Sequence, residues 1–195
     1  MIQIIKNRKQ KTLAKEVVMQ GVNPFEPSQK VTVKIKPSTG YIKFYLNKHV
    51  VPVNYLQNTS GEHTTIIEND KMAIKGVEHL LSSIIGLGID SCKVYLKGGN
   101  SLPFFDASSE HYCKLFHKAG IKNTQKDCQI AVVTETIFFT DNKGSLAILQ
   151  PDDHFSISAL IQFPKPIGEQ YYSFDPKKDQ YSQIAKARSF IRASC

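Results

Sequence analysis

The stretch Lys30-Val31-Thr32-Val33-Lys34-Ile35-Lys36-Pro37 alternates strictly between polar and branched apolar side chains. Because successive side chains of a strand point to opposite faces, this run predicts a half-buried β-strand that ends at the proline. A turn at Ser38-Thr39-Gly40 leads into a second alternating run at residues 41–46. The two runs and the turn between them predict a hairpin.

Further strands and helices are predicted on both sides of this hairpin. Helical spacing indicates helices at residues 76–86 and 108–120. The second has a serine or Asp106 as its N-cap, presents Tyr112, Leu115, Phe116 and Ala119, and ends at Gly120. Asp175-Pro176 is typical of the start of a final helix. Apolar alternation indicates strands at residues 2–5, 12–19, 91–96, 130–140, 145–149, 154–163 and 171–174.

The order of these elements predicts an α+β fold. Strands followed by helices occur twice, which is typical of two-layer sandwiches in which helices pack on mostly antiparallel sheets. We expect one complete domain at residues 1–122, a polar linker at residues 123–127, and an incomplete second copy of the domain at residues 128–195. The second region contains one predicted helix where the first contains two.

The helix predicted at residues 76–86 carries an acidic residue and a histidine side by side. Its apolar residues share one face by their spacing, and they are Val77, Leu80, Leu81, Ile84 and Ile85. His79 then points almost opposite this face and Glu78 lies on its flank, a pattern typical of a solvated helix surface. Both residues are in the first turn, however, where the helix dipole disfavours an imidazolium. A neutral imidazole is what a metal requires, and an adjacent carboxylate is a suitable general base.

The net charge of +8 favours an anionic partner. Lysines and arginines crowd the chain near residues 6–15 and again near residues 177–192, and elsewhere lysines alternate with apolar residues as on solvated strand faces. Nucleic acid is not expected as a partner, because no repeat of basic and aromatic residues is present. The basic ends nevertheless leave an anion- or RNA-binding module as a third hypothesis for function.

The remaining composition indicates an intracellular globular protein. The four cysteines are scattered without a Cys-x-x-Cys pair, which is typical of reduced thiols that pack as small apolar residues. The N-terminus has no signal-peptide pattern, and the longest apolar stretch, residues 80–87, is far too short to span a bilayer. We therefore expect a cytoplasmic location without a transmembrane segment.

Several motifs resemble one enzyme family. Gly76-Val77-Glu78-His79-Leu80-Leu81 and the following Gly86-Leu87-Gly88-Ile89-Asp90 resemble the T-V-E-H-L…G-L-G-I-D segment of the UDP-3-O-acyl-N-acetylglucosamine deacetylases, the zinc amidases of lipid A biosynthesis. In the same order along the chain, Leu102-Pro103-Phe104-Phe105-Asp106-Ala107-Ser108 resembles the family's I-P-I-M-D-G-S. Ile184-Ala185-Lys186-Ala187-Arg188-Ser189-Phe190 resembles its I-S-R-A-R-T-F, and Ala119-Gly120-Ile121 is a shared triplet.

The resemblance implies a set of site residues and ligands. Glu78 would be the general base and His79 a zinc ligand. Ser189 stands where the family has a threonine that stabilises the tetrahedral oxyanion by hydrogen bonding. His63 aligns with a pocket histidine of some members, and with Thr64 and Phe190 it is expected to bind substrate. The implied cofactor is zinc, and the implied substrate is a lipid precursor linked to a UDP-sugar.

The sequence also departs from the family pattern. The family's other zinc ligands come from an H-K-x-x-D segment and a later histidine, which these 195 residues do not contain, whereas catalytic zinc normally needs three protein ligands. Phe25 stands where the family's glycine-rich loop has a histidine. Ala107 replaces a glycine, so a positive φ is no longer expected there. Two hypotheses follow. The first is a deacetylase that is completed by a second chain or is a shortened product of such an enzyme's gene, and the second is a non-catalytic homologue that binds or regulates.

Overall fold

The computed structural model describes residues 2–5, 8–53, 58–61 and 64–188. The chain forms two compact units. The larger unit comprises Arg8–Cys128 and Ser182–Cys195, and the smaller unit comprises Met1–Asn7 and Gln129–Tyr181. The fold is mixed α and β with strands predominating, as the alternation in the sequence predicts.

The larger unit contains ten of the described strands and two helices. Its strands are β2 (Lys9–Leu13), β3 (Val17–Asn23), β4 (Glu26–Pro37), β5 (Lys43–Leu46), β6 (His49–Pro52), β7 (Asn58–Gly61), β8 (Thr64–Asn69), β9 (Met72–Lys75), β10 (Cys92–Lys97) and β11 (Ile121–Asp127). Its helices are α1 (Glu78–Gly86) and α2 (Glu110–Ala119). Five strands form one sheet in the order β3-β4-β10-β5-β6, beside a three-stranded sheet β7-β8-β9 and the pair β2-β11.

The predicted hairpin of β4 and β5 is wrong, because β10 lies between these two strands. β10 pairs antiparallel with β4 and parallel with β5. Its Val94 lies opposite Ile35 on one side and Phe44 on the other, and all three side chains are fully buried. Burial of this apolar row stabilises the insertion of β10, and a local turn cannot reveal such a long-range pairing.

Two other predicted boundaries change in the structure. The segment predicted at residues 12–19 as one strand is interrupted at residues 14–16, where the chain passes from the β2-β11 pair to the five-stranded sheet. The polar residues 123–127, predicted as a linker, belong to β11, which pairs with β2 through Ile121↔Leu13 and Asn123↔Lys11. Backbone hydrogen bonding therefore keeps this segment in the larger unit despite its polar side chains.

The helix layer supplies the other half of the core. α2 buries Tyr112, Phe116 and Ala119, as its spacing predicts, and ends at Gly120 with a φ of +75°. α1 buries Leu80 and Ile84, also as predicted.

The predicted orientation of α1 is wrong at His79 and Ile85. His79 and Ser83 are buried, whereas Ile85 is 63% exposed. α1 is thus rotated toward His79 and Ser83, away from the centre of its apolar stripe, and the spacing of the apolar residues does not predict this rotation.

The smaller unit consists of paired strands. These strands are β1 (Ile2–Ile5), β12 (Ile130–Val133), β13 (Ile137–Thr140), β14 (Leu146–Leu149), β15 (Ile157–Gln162) and β16 (Glu169–Phe174). They pair antiparallel as β1-β12, β13-β14 and β15-β16.

The final helix is much shorter than predicted. α3 (Tyr181–Ile184) is a single turn. Asp175 instead begins a capped turn, in which its backbone carbonyl accepts the N–H groups of Lys178 and Asp179. No helix among the described residues is both long enough and apolar enough to cross a membrane.

Candidate functional site

The backbone turn that precedes α1 requires glycine. Gly76 has a φ of +71°, and its N–H donates to the Thr65 carbonyl at 3.0 Å and to Thr64 Oγ at 3.1 Å. A Cβ at this position would lie 2.5 Å from Cε1 of Phe104. Because only glycine combines a left-handed φ with this close approach, Gly76 allows the Phe104 ring to lie against the start of the helix.

The carboxylate of Glu78 is tied to strand β8. The Thr65 N–H donates to Glu78 Oε2 at 3.1 Å. Together with the two Gly76 contacts, this bond joins the first turn of α1 to the beginning of β8 at Thr64 and Thr65. The orientation of the Glu78 carboxylate is therefore fixed by a backbone N–H of β8 rather than by a flexible side chain.

His79 lies in an apolar environment. Its side chain is buried, with 8% of the residue exposed, and its ring meets the Phe104 ring edge-on with 5.2 Å between centroids. Burial lowers the pKa of His79, and the charges of Glu78 and Asp106 offset this only in part. The imidazole is thus neutral at pH 7, which is the form that a metal or a hydrogen-bond network uses as an acceptor.

The two residues before Phe104 are held by hydrogen bonds to a strand and to a helix. Leu102 N–H donates to the carbonyl of Lys75, the last residue of β9, at 3.0 Å. The hydroxyl of Tyr112 in α2 donates to the Pro103 carbonyl at 2.7 Å. Phe104 therefore reaches His79 from a loop held between a strand and a helix.

Two residues of this loop have a left-handed backbone. Phe105 has a φ of +51° and Ala107 a φ of +61°. The expectation that Ala107 no longer needs a positive φ is therefore wrong: the turn keeps the conformation, closed by Ala107 N–H donating to the Phe104 carbonyl at 2.7 Å. A non-glycine residue pays about 1 kcal/mol or more for this conformation, so strain is concentrated beside His79.

Asp106 links this loop to the last described motif. Hydrogen bonds from the Ser108 hydroxyl at 2.8 Å and the Ser108 N–H at 3.3 Å lower the pKa of Asp106. The Arg188 guanidinium lies 3.7 Å from the same carboxylate. The motif at residues 184–188 is thereby brought to the loop at residues 104–108, a proximity that the sequence motifs alone do not reveal.

The predicted site residues divide into two groups. Glu78, His79 and Thr64 lie together at the start of α1. His63, Ser189 and Phe190 lie outside the described residues.

Phe104 is the residue that the sequence analysis missed. Its ring contacts His79, approaches Gly76, and meets Phe25 edge-on at 5.8 Å. The signal for it was the pair of consecutive phenylalanines in the motif at residues 102–108.

Phe25 contributes an aromatic ring to the surface beside Phe104. Its ring is 45% exposed, and the Lys75 ammonium lies 5.6 Å from its centroid. An open cleft of about 310 Å³ adjoins it, and its lining is mostly apolar: Val22, Asn23, Pro24, Pro27, Pro103, Phe104 and Phe105. Phe104 and Phe105 therefore offer apolar surface to a ligand group in this cleft.

The described residues do not form a zinc site by themselves. Within the described part of the chain, the one group of three potential ligands with close donor atoms is Asp152, Asp153 and His154, in the smaller unit. The carboxylates of this group already have partners in the protein. The Lys177 ammonium pairs with Asp153 at 2.8 Å, and the His154 ring lies against the carboxylates. His79 has the donor atom and the neutral form that zinc prefers, but it supplies one ligand where catalytic zinc normally has three.

Comparison with known proteins identifies the family. The fold and site define a mixed α and β protein whose first helix begins with a carboxylate and a buried neutral imidazole. Residues 10–194 match the family model of UDP-3-O-acyl N-acetylglycosamine deacetylase. The chain belongs to this family.

Curated relatives agree with this assignment. The chain is 32% identical over 188 residues to the UDP-3-O-acyl-N-acetylglucosamine deacetylase of Aliarcobacter butzleri, covering 93% of this chain and 62% of that protein. It is 30% identical over 190 residues to the protein of the same name from Campylobacter lari, covering 93% of this chain and 63% of the relative. The chain thus spans a little under two thirds of the length of these relatives.

Proposed function

We propose that this chain takes part in the hydrolytic deacetylation of UDP-3-O-acyl-N-acetylglucosamine, a step of lipid A biosynthesis, in the cytoplasm. The observation that carries the proposal is the pairing of an anchored Glu78 carboxylate with a buried, neutral His79 imidazole in the first turn of α1. The family match over residues 10–194 supports the same activity, and the names of the relatives supply the substrate.

The proposed roles follow from the chemistry of each side chain. Glu78 would accept a proton from the attacking water, because its carboxylate is fixed by Thr65 and is not buried in a salt bridge among the described residues. His79 would be a zinc ligand. Ser189 would donate a hydrogen bond to the oxyanion, and His63, Thr64 and Phe190 would line the substrate pocket.

The incomplete ligand set limits what this part of the protein does alone. His79 supplies one zinc ligand, so we propose that the remaining ligands come from polypeptide outside the described residues, with a second chain as one source. We further propose that the smaller unit is an incomplete copy of the α+β design of the larger one. Its described residues form paired strands and contribute only Tyr181 to the single helical turn α3.

Zinc binding and acetate release test this proposal together. In the chain purified together with the polypeptide that completes its ligand set, elemental analysis should find stoichiometric zinc that is lost in His79→Ala and retained in His117→Ala, a control at an exposed histidine of α2. With zinc retained, Glu78→Gln should abolish acetate release from the acylated UDP-sugar, because the base is lost while the ligand stays.

The opposite results would favour the non-catalytic alternative. If the chain binds no zinc and its unfolding midpoint is unaffected by a chelator, His79 is not a ligand in this chain. If it nevertheless binds the acylated UDP-sugar, the protein is a binding or regulatory homologue.

A further inference from the structure

The outward face of the five-stranded sheet is strongly basic. In β4, β5 and β10 the inward side chains are buried, including Val33, Phe44 and Val94, so the alternate residues point to solvent. We define the basic face as the six lysines at these outward positions and the two tyrosines among them: Lys30, Lys34, Lys36, Lys43, Lys93, Lys97, Tyr45 and Tyr95. These lysines come from three separate segments of the sequence and meet only through strand pairing.

The strand register places several of these charges directly beside one another. Lys93 lies opposite Lys36 in β4 and opposite Lys43 in β5, so three lysines form one row across three adjacent strands. Neighbouring strands are about 4.8 Å apart, and like charges directly opposite each other destabilise a sheet. This row is therefore not explained by the stability of the fold.

The three strands that form the basic face carry no acidic residue among its lysines. The outward positions of β5, β10 and residues 30–36 of β4 contain no aspartate or glutamate. In the part of the chain that the structure describes, none of the six lysines takes part in an ion pair. A surface of this kind attracts a partner with many negative charges.

The tyrosines make nucleic acid a poor match for the basic face. Tyr45 and Tyr95 stack with 4.5 Å between centroids and 17° between planes. The ammonium of Lys36, from the strand on the other side of β10, lies 5.6 Å from the Tyr95 centroid. Both faces of the Tyr95 ring are therefore occupied, whereas proteins that bind single strands on a sheet use open aromatic faces to stack bases.

The remaining chemistry suits a phospholipid surface. Every cation of the basic face is a lysine, a hydrated point charge suited to diffuse attraction rather than to bidentate recognition of single phosphates. Val18 and Val22, on the outward side of neighbouring β3, are about half exposed, and Val18 lies opposite Lys34. Apolar side chains beside lysines add contact at the boundary between headgroups and acyl chains.

We propose that the basic face binds the protein peripherally to membranes rich in anionic phospholipids. The lysines lie against the headgroup phosphates, with Val18 and Val22 at the edge of the contact. Because this binding needs neither zinc nor deacetylation, we expect it of the chain by itself.

Vesicle sedimentation tests the proposal. The protein should sediment with vesicles made of equal parts phosphatidylcholine and phosphatidylglycerol, but not with vesicles of phosphatidylcholine alone, and high salt should release it. The triple variant Lys34→Gln, Lys36→Gln, Lys93→Gln should weaken binding about a hundredfold, at about fivefold for each lysine near an anionic surface.

A charge-matched control separates this face from net charge. Lys114, Lys118 and Lys122 changed to Gln remove the same charge from α2 and β11. The buried side of α2 packs in the core on the other side of the sheet, so the control should leave vesicle binding nearly unchanged. Circular dichroism of both variants verifies that they fold. If either variant fails to fold, the salt dependence of vesicle binding by the unaltered protein still tests the proposal.

Three results would overturn the proposal. The first is equal sedimentation with neutral and anionic vesicles, and the second is an equal loss in the control variant. The third is tighter binding of single-stranded RNA than of anionic vesicles at the same ionic strength, which would assign the basic face to nucleic acid.

Discussion

The two units of this protein differ in how far their apolar residues are buried. Every member of the hydrophobic core cluster lies between Leu13 and Ala119, in the larger unit. Of the 21 large apolar residues that are exposed among the described residues, 14 lie in the smaller unit, including Phe138, Leu160 and Tyr171. The smaller unit has fewer than a third of the residues of the chain, so the exposure is concentrated there.

The difference teaches what a helix layer contributes. Strands in both units pair through backbone hydrogen bonds, in the smaller unit as β1-β12, β13-β14 and β15-β16. Among the described residues, only the larger unit places helices of the length of α1 and α2 beside its strands, and only there are large apolar side chains fully buried. Isolated two-stranded hairpins are marginally stable, so the folding free energy of the chain should reside in the larger unit.

The sharpest test compares one phenylalanine from each unit. Phe116→Ala should lower the free energy of unfolding by about 3–5 kcal/mol, because it removes a fully buried ring from the core. Phe138→Ala, at a residue that is 65% exposed, should change it by less than about 0.5 kcal/mol. Urea unfolding followed by the helical signal at 222 nm measures both, since α1 and α2 lie in the larger unit. Equal losses would show that Phe138 contributes to the unfolding transition of α1 and α2, and would contradict the stability difference between the units.

The substitution Asp90→Asn should have an intermediate effect on the free energy of unfolding, and this effect should depend on pH. Burial raises the pKa of this carboxyl, but hydrogen bonds from Arg8, from the Lys11 N–H and from Cys128 outweigh it, so the pKa lies below its ordinary value. A depressed pKa contributes stability that is present at neutral pH and lost as the pH falls through the folded-state value. Asp90→Asn should therefore cost about 1–2 kcal/mol at pH 7, and the difference from the unaltered protein should shrink below about pH 4.

The matched substitution in the smaller unit is Asp141→Asn. Asp141 also has a lowered pKa, from the Ser145 and Lys143 N–H groups of the β13–β14 turn. Because this turn is fully exposed, the substitution should leave the 222 nm transition unchanged at both pH values. If Asp90→Asn lowered the free energy of unfolding by the same amount at both pH values, the contact between Arg8 and Asp90 would not form in solution.

The smallest effect should be a gain in stability. Ala107→Gly relieves the left-handed backbone beside the candidate site, and we expect a rise of about 0.5–1 kcal/mol after allowing for the greater freedom of glycine in the unfolded chain. Ala147→Gly, in exposed strand β14, is the control and should not raise the unfolding midpoint. A loss of stability in Ala107→Gly would mean that the methyl group contributes more by packing than it costs in strain.

Local patterns predicted much of the larger unit correctly. The alternation at residues 30–36 identified β4, and the spacing of Tyr112 and Phe116 identified the buried face of α2. The motifs at residues 76–90 and 102–108 identified the family that the profile of residues 10–194 bears out. The pairing of Glu78 with His79 was also visible in the sequence, but the burial of His79 was not.

What the sequence by itself determined is the set of segments: which residues form strands and helices, and which motifs mark the candidate site. These depend on interactions between residues a few positions apart, which a pattern records directly. The tertiary structure alone decided the insertion of β10 between β4 and β5, the rotation of α1 that buries His79 against Phe104, and the gathering of lysines on one face. Each depends on contacts between distant segments, where the burial of apolar surface and the register of strands select one arrangement among several that the local sequence permits.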